Sequence, residues 1–259
     1  MFSITDAEVL SLIGAWTWPF LRVGGLVMTA PVIGTRMVPG RVRIAYTLAL
    51  CGVLVPLLPA PPEVVMLSPQ GFLIAIQQVL IGAAIGLVVR IVFVVVEIAG
   101  QIVAQQMGLG FASLVDPQTG LQVPVLSQFY IVLATLMFFS LQGHLVLIST
   151  LVDSFTILPI GSGGIEREGL EVVLEWSKSL FSGALAIALP IVIALLVVNL
   201  AFGVMARSAP QLNVFAIGFP IMILFGVFMI FLTLDTLELH LRENLDAAFS
   251  VARGLLGKA

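Results

Sequence analysis

The chain has 259 residues, of which 60% are hydrophobic and only 10% are Asp, Glu, Lys or Arg, with a formal net charge of -3 and a mean hydropathy of +1.18. Soluble domains carry about 25% charged residues, so this chain cannot coat a water-facing globule of its size, and its apolar runs are equally foreign to intrinsic disorder. A protein of the lipid bilayer remains, and eleven basic against fourteen acidic residues leave no footprint for nucleic acid.

The first ten residues hold Asp6 and Glu8 and no Lys or Arg, which is not the pattern of a cleaved leader, so the N-terminus is expected to stay on the mature protein. Apolar stretches follow at Ile13 to Ile33, Ile44 to Leu58, Phe72 to Ile98, Val125 to Val152, Gly183 to Met205 and Val214 to Leu234. Crossing the hydrocarbon core takes about 20 apolar residues; four or five stretches can span, and Ile44 to Leu58 is short. Their lengths exclude strands and the alternation of a barrel is absent, so the class is all-α, built from membrane-type helical hairpins. Pro19, Pro31, Pro190 and Pro220 are predicted to break or kink their helices.

Between the stretches lie breakers: Gly34 to Arg43 with three arginines, Pro59 to Pro69 with four prolines, and Ile160 to Gly169 with Gly161, Gly163, Gly164, Glu166 and Glu168. Leu170 to Lys178 is predicted to form a short amphipathic helix. One long polar-leaning interruption, Gln101 to Gln122, is too long for an ordinary turn. In a six-pass arrangement four Lys or Arg face one side and five the other. The positive-inside rule separates the two sides of ordinary membrane proteins. A simple bundle is therefore disfavoured against hairpins packed in a larger assembly.

Arg90 and Glu97 fall inside the third apolar stretch, seven residues apart and nearly on one helical face. Each costs about 2.5 to 3.5 kcal/mol unless paired, which favours a structural pair, with each other or with a partner chain, over a proton relay. Gln101 and Gln105 share a face by their i, i+4 spacing, suited to interhelical hydrogen bonds or to a polar pore lining. No nucleophile motif, phosphate loop or metal-ligand spacing appears, the lone Cys51 offers no cysteine metal site, and no cofactor is expected. The segment Met107, Gly108, Leu109, Gly110, Phe111, Ala112, Ser113, Leu114, Val115, Asp116 and Pro117 combines permissive glycines with an apolar body. It reads either as a moving stopper or as a loop between two helices.

The stretch Ala209, Pro210, Gln211, Leu212, Asn213, Val214, Phe215, followed by Gly218, Phe219 and Pro220, resembles the signature of the FliR family of flagellar biosynthetic proteins, which includes the corresponding component of virulence type III secretion systems. Further blocks agree in order: Arg22 to Leu26, Ala30 to Gly34, Val38-Pro39-Gly40 with Arg43, and Glu97 with Gly100 and Gln101. Within the resemblance, Pro210, Gln211, Asn213, Gly218 and Pro220 form a helix-hairpin turn motif. The resemblance divides the chain into residues 1–160, similar to FliP with a plug loop near 107–120, and residues 161–259, similar to the two-helix protein FliQ, with a polar C-terminal tail.

The resemblance implies a subunit of an export gate and not an enzyme. With FliP and FliQ it would form a helically arranged pore through which unfolded flagellar proteins leave the cytoplasm, with residues 107–117 plugging the closed state. FlhB and membrane lipid are implied as further partners. The implied location is the inner membrane within the flagellar basal body, the assembled gate lying largely on the periplasmic side. A second reading is a proton- or ion-coupled secondary transporter of a small solute with Arg90 and Glu97 as coupling residues; a third is a membrane anchor without a channel.

Overall fold

The computed structural model describes residues 6–59, 62, 64, 68–109, 125–161, 163–165, 167–208 and 214–257. Its elements are α1 (Asp6–Thr29), α2 (Gly40–Leu54) continued by a 3-10 turn (Val55–Leu57), α3 (Pro69–Gln106), α4 (Val125–Ser140), α5 (Gly143–Ile157), α6 (Arg167–Ser177), α7 (Ser179–Ser208), α8 (Val214–Leu232) and α9 (Leu234–Leu256). No strand occurs among the described residues, and the chain is an all-α, membrane-type protein. Among the described residues three stretches are long and apolar enough to cross a membrane, Gly40–Leu57, Pro69–Gln106 and Arg167–Ser208, or up to five if each of two bent helix pairs counts as one. The helix that begins at Gly40 thus reaches spanning length.

Two compact units divide the chain. The first holds α1, α2, α3 as far as Ile91, α5, α6 and α9 from Leu245; the second holds α3 from Val92, α4, α7, α8 and α9 as far as Asn244. In the first unit α1 and α3 meet backbone to backbone. A Cβ on Gly82 would lie 1.9 Å from the Arg22 carbonyl oxygen, one on Gly25 2.4 Å from that of Val79, and one on Gly86 2.2 Å from Thr29 Oγ1. Gly82 and Gly86 are thus a small-residue pair at i, i+4 that lets membrane helices approach closely. Thr29 Oγ1 uses the proximity to donate to the Ala83 carbonyl at 3.0 Å. Around this seam Trp18, Val23, Leu26, Ile81, Ile85 and Val89 are buried.

In the second unit α4 buries Ser127, Tyr130, Ala134 and Phe138, the i, i+3, i+4 stripe of a one-sided helix. Phe138 meets Phe93 of α3 edge to face at 5.5 Å, and a Cβ on Gly100 would stand 2.9 Å from the Ser127 Cα. Helix α7 buries Ala184, Ile187, Ala188, Ile191 and Leu195.

Of the four prolines expected to break or kink their helices, Pro31 lies just beyond the end of α1, whereas the helices run on through Pro19, Pro190 and Pro220 without a break. A proline deletes one N–H, and in an apolar setting the flanking hydrogen bonds are retained because no water competes for them. The interruptions fall elsewhere. The apolar run expected as one stretch from Val125 to Val152 is split at Gln142, a left-handed residue with φ 56°. Between α8 and α9 the axis bends by 56° at Thr233, whose Oγ1 donates back to the carbonyls of Met229 at 3.0 Å and Ile230 at 3.2 Å. Back-bonding of this kind bends helices.

The amphipathic helix expected near Leu170 is present as α6. Its Arg167 and Glu171 pair on the surface at 3.1 Å, and Trp176 Nε1 donates to the Val88 carbonyl at 3.1 Å. After α1 the chain reverses through a three-residue turn in which Ile33 N donates to the Pro31 carbonyl at 2.8 Å around Val32 at φ 67°, a strained geometry for a β-branched residue.

The close approach at Gly82 yields a paired prediction. Gly82→Ala forces α1 and α3 apart and is expected to cost about 1 to 3 kcal/mol, the usual price of overpacking. Gly52→Ala, in the interior of α2 with nothing within 4 Å of its would-be Cβ, is expected to gain about 0.5 to 1 kcal/mol. Thermal unfolding of both variants in one detergent, followed by circular dichroism, checks the contrast; equal shifts would refute it.

Candidate functional site

At the C-terminal end of α3 four of the sequence-selected residues, Gln105, Met107, Gly108 and Gly218, gather on one feature. The helix closes with Gly108 at φ 84°; Leu109 N donates to the Ala104 carbonyl and Gly108 N to that of Gln105, both at 3.0 Å. This is the Schellman arrangement, in which a left-handed residue after the helix satisfies its last carbonyls. Met107 is buried, 1% exposed, and fills the space left by Gly226 of α8, whose would-be Cβ lies 2.6 Å from the Met107 Cγ.

Beside it opens a cleft of about 430 Å³ lined by Gln105, Met107, Asn199, Phe202, Phe219 and Met222, with Gln106, Gly108 and Gly218 on its walls. Amides set among thioethers and phenyl rings give hydrogen-bonding groups on an otherwise apolar surface.

Of the other selected residues, Gln101 is half-buried, one turn before Gln105 on the same helix, while Leu109 is half-buried and Pro220 exposed. Arg90 is exposed and Glu97 half-buried, and neither takes part in an ion pair among the described residues. Gly110, Phe111, Ala112, Ser113, Leu114, Val115, Asp116 and Pro117 lie outside the described residues, as do Pro210, Gln211 and Asn213. Among the described residues no group of three or more His, Cys, Asp or Glu could hold a metal ion.

The most costly buried group is one that sequence reading placed only within a family motif. Arg22 of α1 is fully buried, and among the described residues no carboxylate meets it. Its Nε donates to Gln78 Oε1 of α3 at 2.8 Å. Nη1 donates to the Ser154 carbonyl at 2.7 Å and to Ser154 Oγ at 3.2 Å, and Nη2 to the Leu158 carbonyl at 2.8 Å. The Phe155 ring covers the guanidinium carbon at 4.3 Å from its centroid, within cation–π range. Ser154 and Leu158 close the C-terminal end of α5, where unpaired carbonyls and the negative end of the helix dipole favour a cation. Helix α5 therefore supplies, without a charged residue, the countercharge that Arg22 requires. Gln78 Nε2 is buried with no hydrogen-bond partner among the described residues. The available signal was a lone arginine in an apolar run, the same cost argument that singled out Arg90 and Glu97.

These features define a class: an all-α protein of membrane type, packed through glycine seams and buried polar clamps. Residues 13–248 match the family described as bacterial export proteins, family 1. The chain is 40% identical to the flagellar biosynthetic protein FliR of Escherichia coli (strain K12), over 88% of this chain and 87% of that one. It is 37% identical to FliR of Pectobacterium carotovorum subsp. carotovorum over 99% and 98%, and 29% identical to FliR of Bacillus subtilis (strain 168) over 96% and 97%. The chain belongs to the FliR family of flagellar export-apparatus components, membrane-associated through its apolar helices.

Removal of Arg22 tests the clamp. Arg22→Met strands the Gln78, Ser154 and Leu158 acceptors, each worth about 1 to 3 kcal/mol when buried and unpaired, and is expected to lower thermal stability in detergent by at least about 3 kcal/mol. Arg22→Lys keeps the charge but not the planar fork and is expected to recover less than half of that loss. A methionine variant as stable as the parent would dismiss the clamp.

Proposed function

We propose that this protein is a subunit of the flagellar type III secretion export gate. With FliP and FliQ it forms the pore through which unfolded flagellar proteins leave the cytoplasm, and the segment 107–117 plugs the closed pore. It performs no catalysis of its own. The observation that carries this reading is the family match across residues 13–248. The cleft at the end of α3 adds to it, because its adaptable methionines and phenylalanines beside amides suit a surface that meets many sequences. The 1–160 and 161–259 division, with its likeness to FliP and FliQ, belongs to the same proposal. So do FlhB as a neighbour and a gate held largely on the periplasmic side of the inner membrane.

Native mass spectrometry of the tagged chain from gently solubilised membranes is the first test. One copy carried with several copies of two smaller hydrophobic proteins is the expected result. A lone chain or homo-oligomer that persists in milder detergents overturns the gate and brings forward a transporter. The plug is tested separately: deleting residues 110–117 is expected to leave the complex assembled while making membranes leaky to small solutes. Retained impermeability in an assembled deletion complex refutes it.

A further inference from the structure

The connection between α1 and α2 concentrates positive charge that no acidic side chain neutralises among the described residues. Arg36, Arg41 and Arg43 are three of the eleven basic residues of the chain, and from Val9 to Pro62 there is no Asp or Glu. Among the described residues none of the three is in an ion pair. The connection is ordered by its own hydrogen bonds: Val38 N donates to the Thr35 carbonyl at 3.2 Å, and Val42 N to the Pro39 carbonyl at 3.0 Å. Arg43 Nη2 donates to the Thr35 carbonyl, which ties its guanidinium to the turn, while its buried Nε has no hydrogen-bond partner among the described residues. Arg36 and Arg41 are exposed.

Beside these cations lies open apolar surface. Met37 is 85% exposed, Val42 54%, Ile44 55% and Leu48 50%, with Arg41, Ile44 and Leu48 on one face by their i, i+3, i+7 spacing. Helix α2 buries only Thr47, Cys51 and Leu54, and the membrane-length stretch Gly40–Leu57 that it opens is only 17% buried. Its apolar side is therefore available to lipid. An arginine cluster at the end of such a stretch, with apolar side chains around it, complements a ligand that is anionic at one end and hydrocarbon at the other. A soluble acidic peptide would meet the charge but leave Met37, Ile44 and Leu48 uncovered.

We propose that Arg36, Arg41 and Arg43 hold the phosphate headgroup of an anionic phospholipid, whose acyl chains lie along Met37, Ile44 and Leu48. The arginines at the start of α2 face the positive end of that helix's dipole, and a bound phosphate relieves their mutual repulsion. The proposal rests on the membrane association of the chain and is independent of the pore and its plug.

The test titrates the purified full-chain complex in mixed micelles with phosphatidylglycerol or phosphatidylcholine and counts bound lipid by native mass spectrometry. The expected result is a clear preference for phosphatidylglycerol that weakens with salt, falls about fivefold for each arginine replaced by glutamine and about a hundredfold for the triple variant, and survives Arg41→Lys. An unchanged unfolding temperature certifies the triple variant; if it does not fold, the single variants Arg36→Gln and Arg41→Gln, at exposed positions, give the same readout. Equal retention of the two lipids by the parent overturns the proposal. So does displacement of the lipid by an equal concentration of glycerol phosphate, which marks a site for free phosphate. Protection of the three arginines from phenylglyoxal by a co-purifying acidic protein in the delipidated complex assigns the cluster to a protein partner and overturns it as well.

Discussion

A guanidinium buried in an apolar core must recover its lost hydration from something, and the first unit is organised around that need. Pairing Arg22 with a carboxylate would bury a second charge and its own desolvation cost. Neutral acceptors are used instead: one amide from α3 and two carbonyls at the C-terminal end of α5, with an aromatic face over the carbon. Each bond is charge-assisted and stronger than its neutral counterpart. One side chain thereby fastens α1 to two helices that follow it at long sequence distance. The clamp also fixes orientation, because the planar fork meets its acceptors in only one rotation of α1.

The glycine seam is the steric complement of this clamp. Lipid tails are as apolar as leucine, so membrane helices gain little from hydrophobic burial against one another and depend on close packing and polar contacts. Gly25, Gly82 and Gly86 remove the side chains that would hold α1 and α3 apart, and the bond from Thr29 to Ala83 becomes possible because of it. In the second unit Gly100 and Gly226 act in the same way, one admitting the α4 backbone and the other the Met107 side chain.

The class of the fold was legible because twenty-residue apolar runs have few alternatives, and α6 because its polar and apolar residues separate at helical spacing. The connections at Gly34 to Arg43, Pro59 to Pro69 and Ile160 to Gly169 were legible from their glycines and prolines, but the interruptions inside the apolar runs were not. Proline carries a strong sequence signal for a break, yet Pro19, Pro190 and Pro220 sit within continuous helices, while Gln142 and Thr233, with weak signals, mark the true boundaries. A left-handed glutamine and a threonine bonded back to its own helix depend on local geometry that composition does not encode. The site was partly legible: Gln105, Met107, Gly108 and Gly218 do meet at one cleft. Asn199, Phe202 and Met222 join them from α7 and α8 through packing that no local pattern announces. Arg22 escaped notice as a buried charge because its partners are uncharged and far away in sequence.

The clamp on Arg22 has a bearing on how the chain is made. Its acceptors follow it by 56 residues at Gln78, by 132 at Ser154 and by 136 at Leu158. During synthesis α1 therefore leaves the ribosome carrying a charge whose partners do not yet exist. A lasting place for α1 in the apolar core has to await the end of α5, so the helix that is translated first is completed late. The guanidinium of Arg22 thus lacks its full set of acceptors until more than half of the chain has been translated.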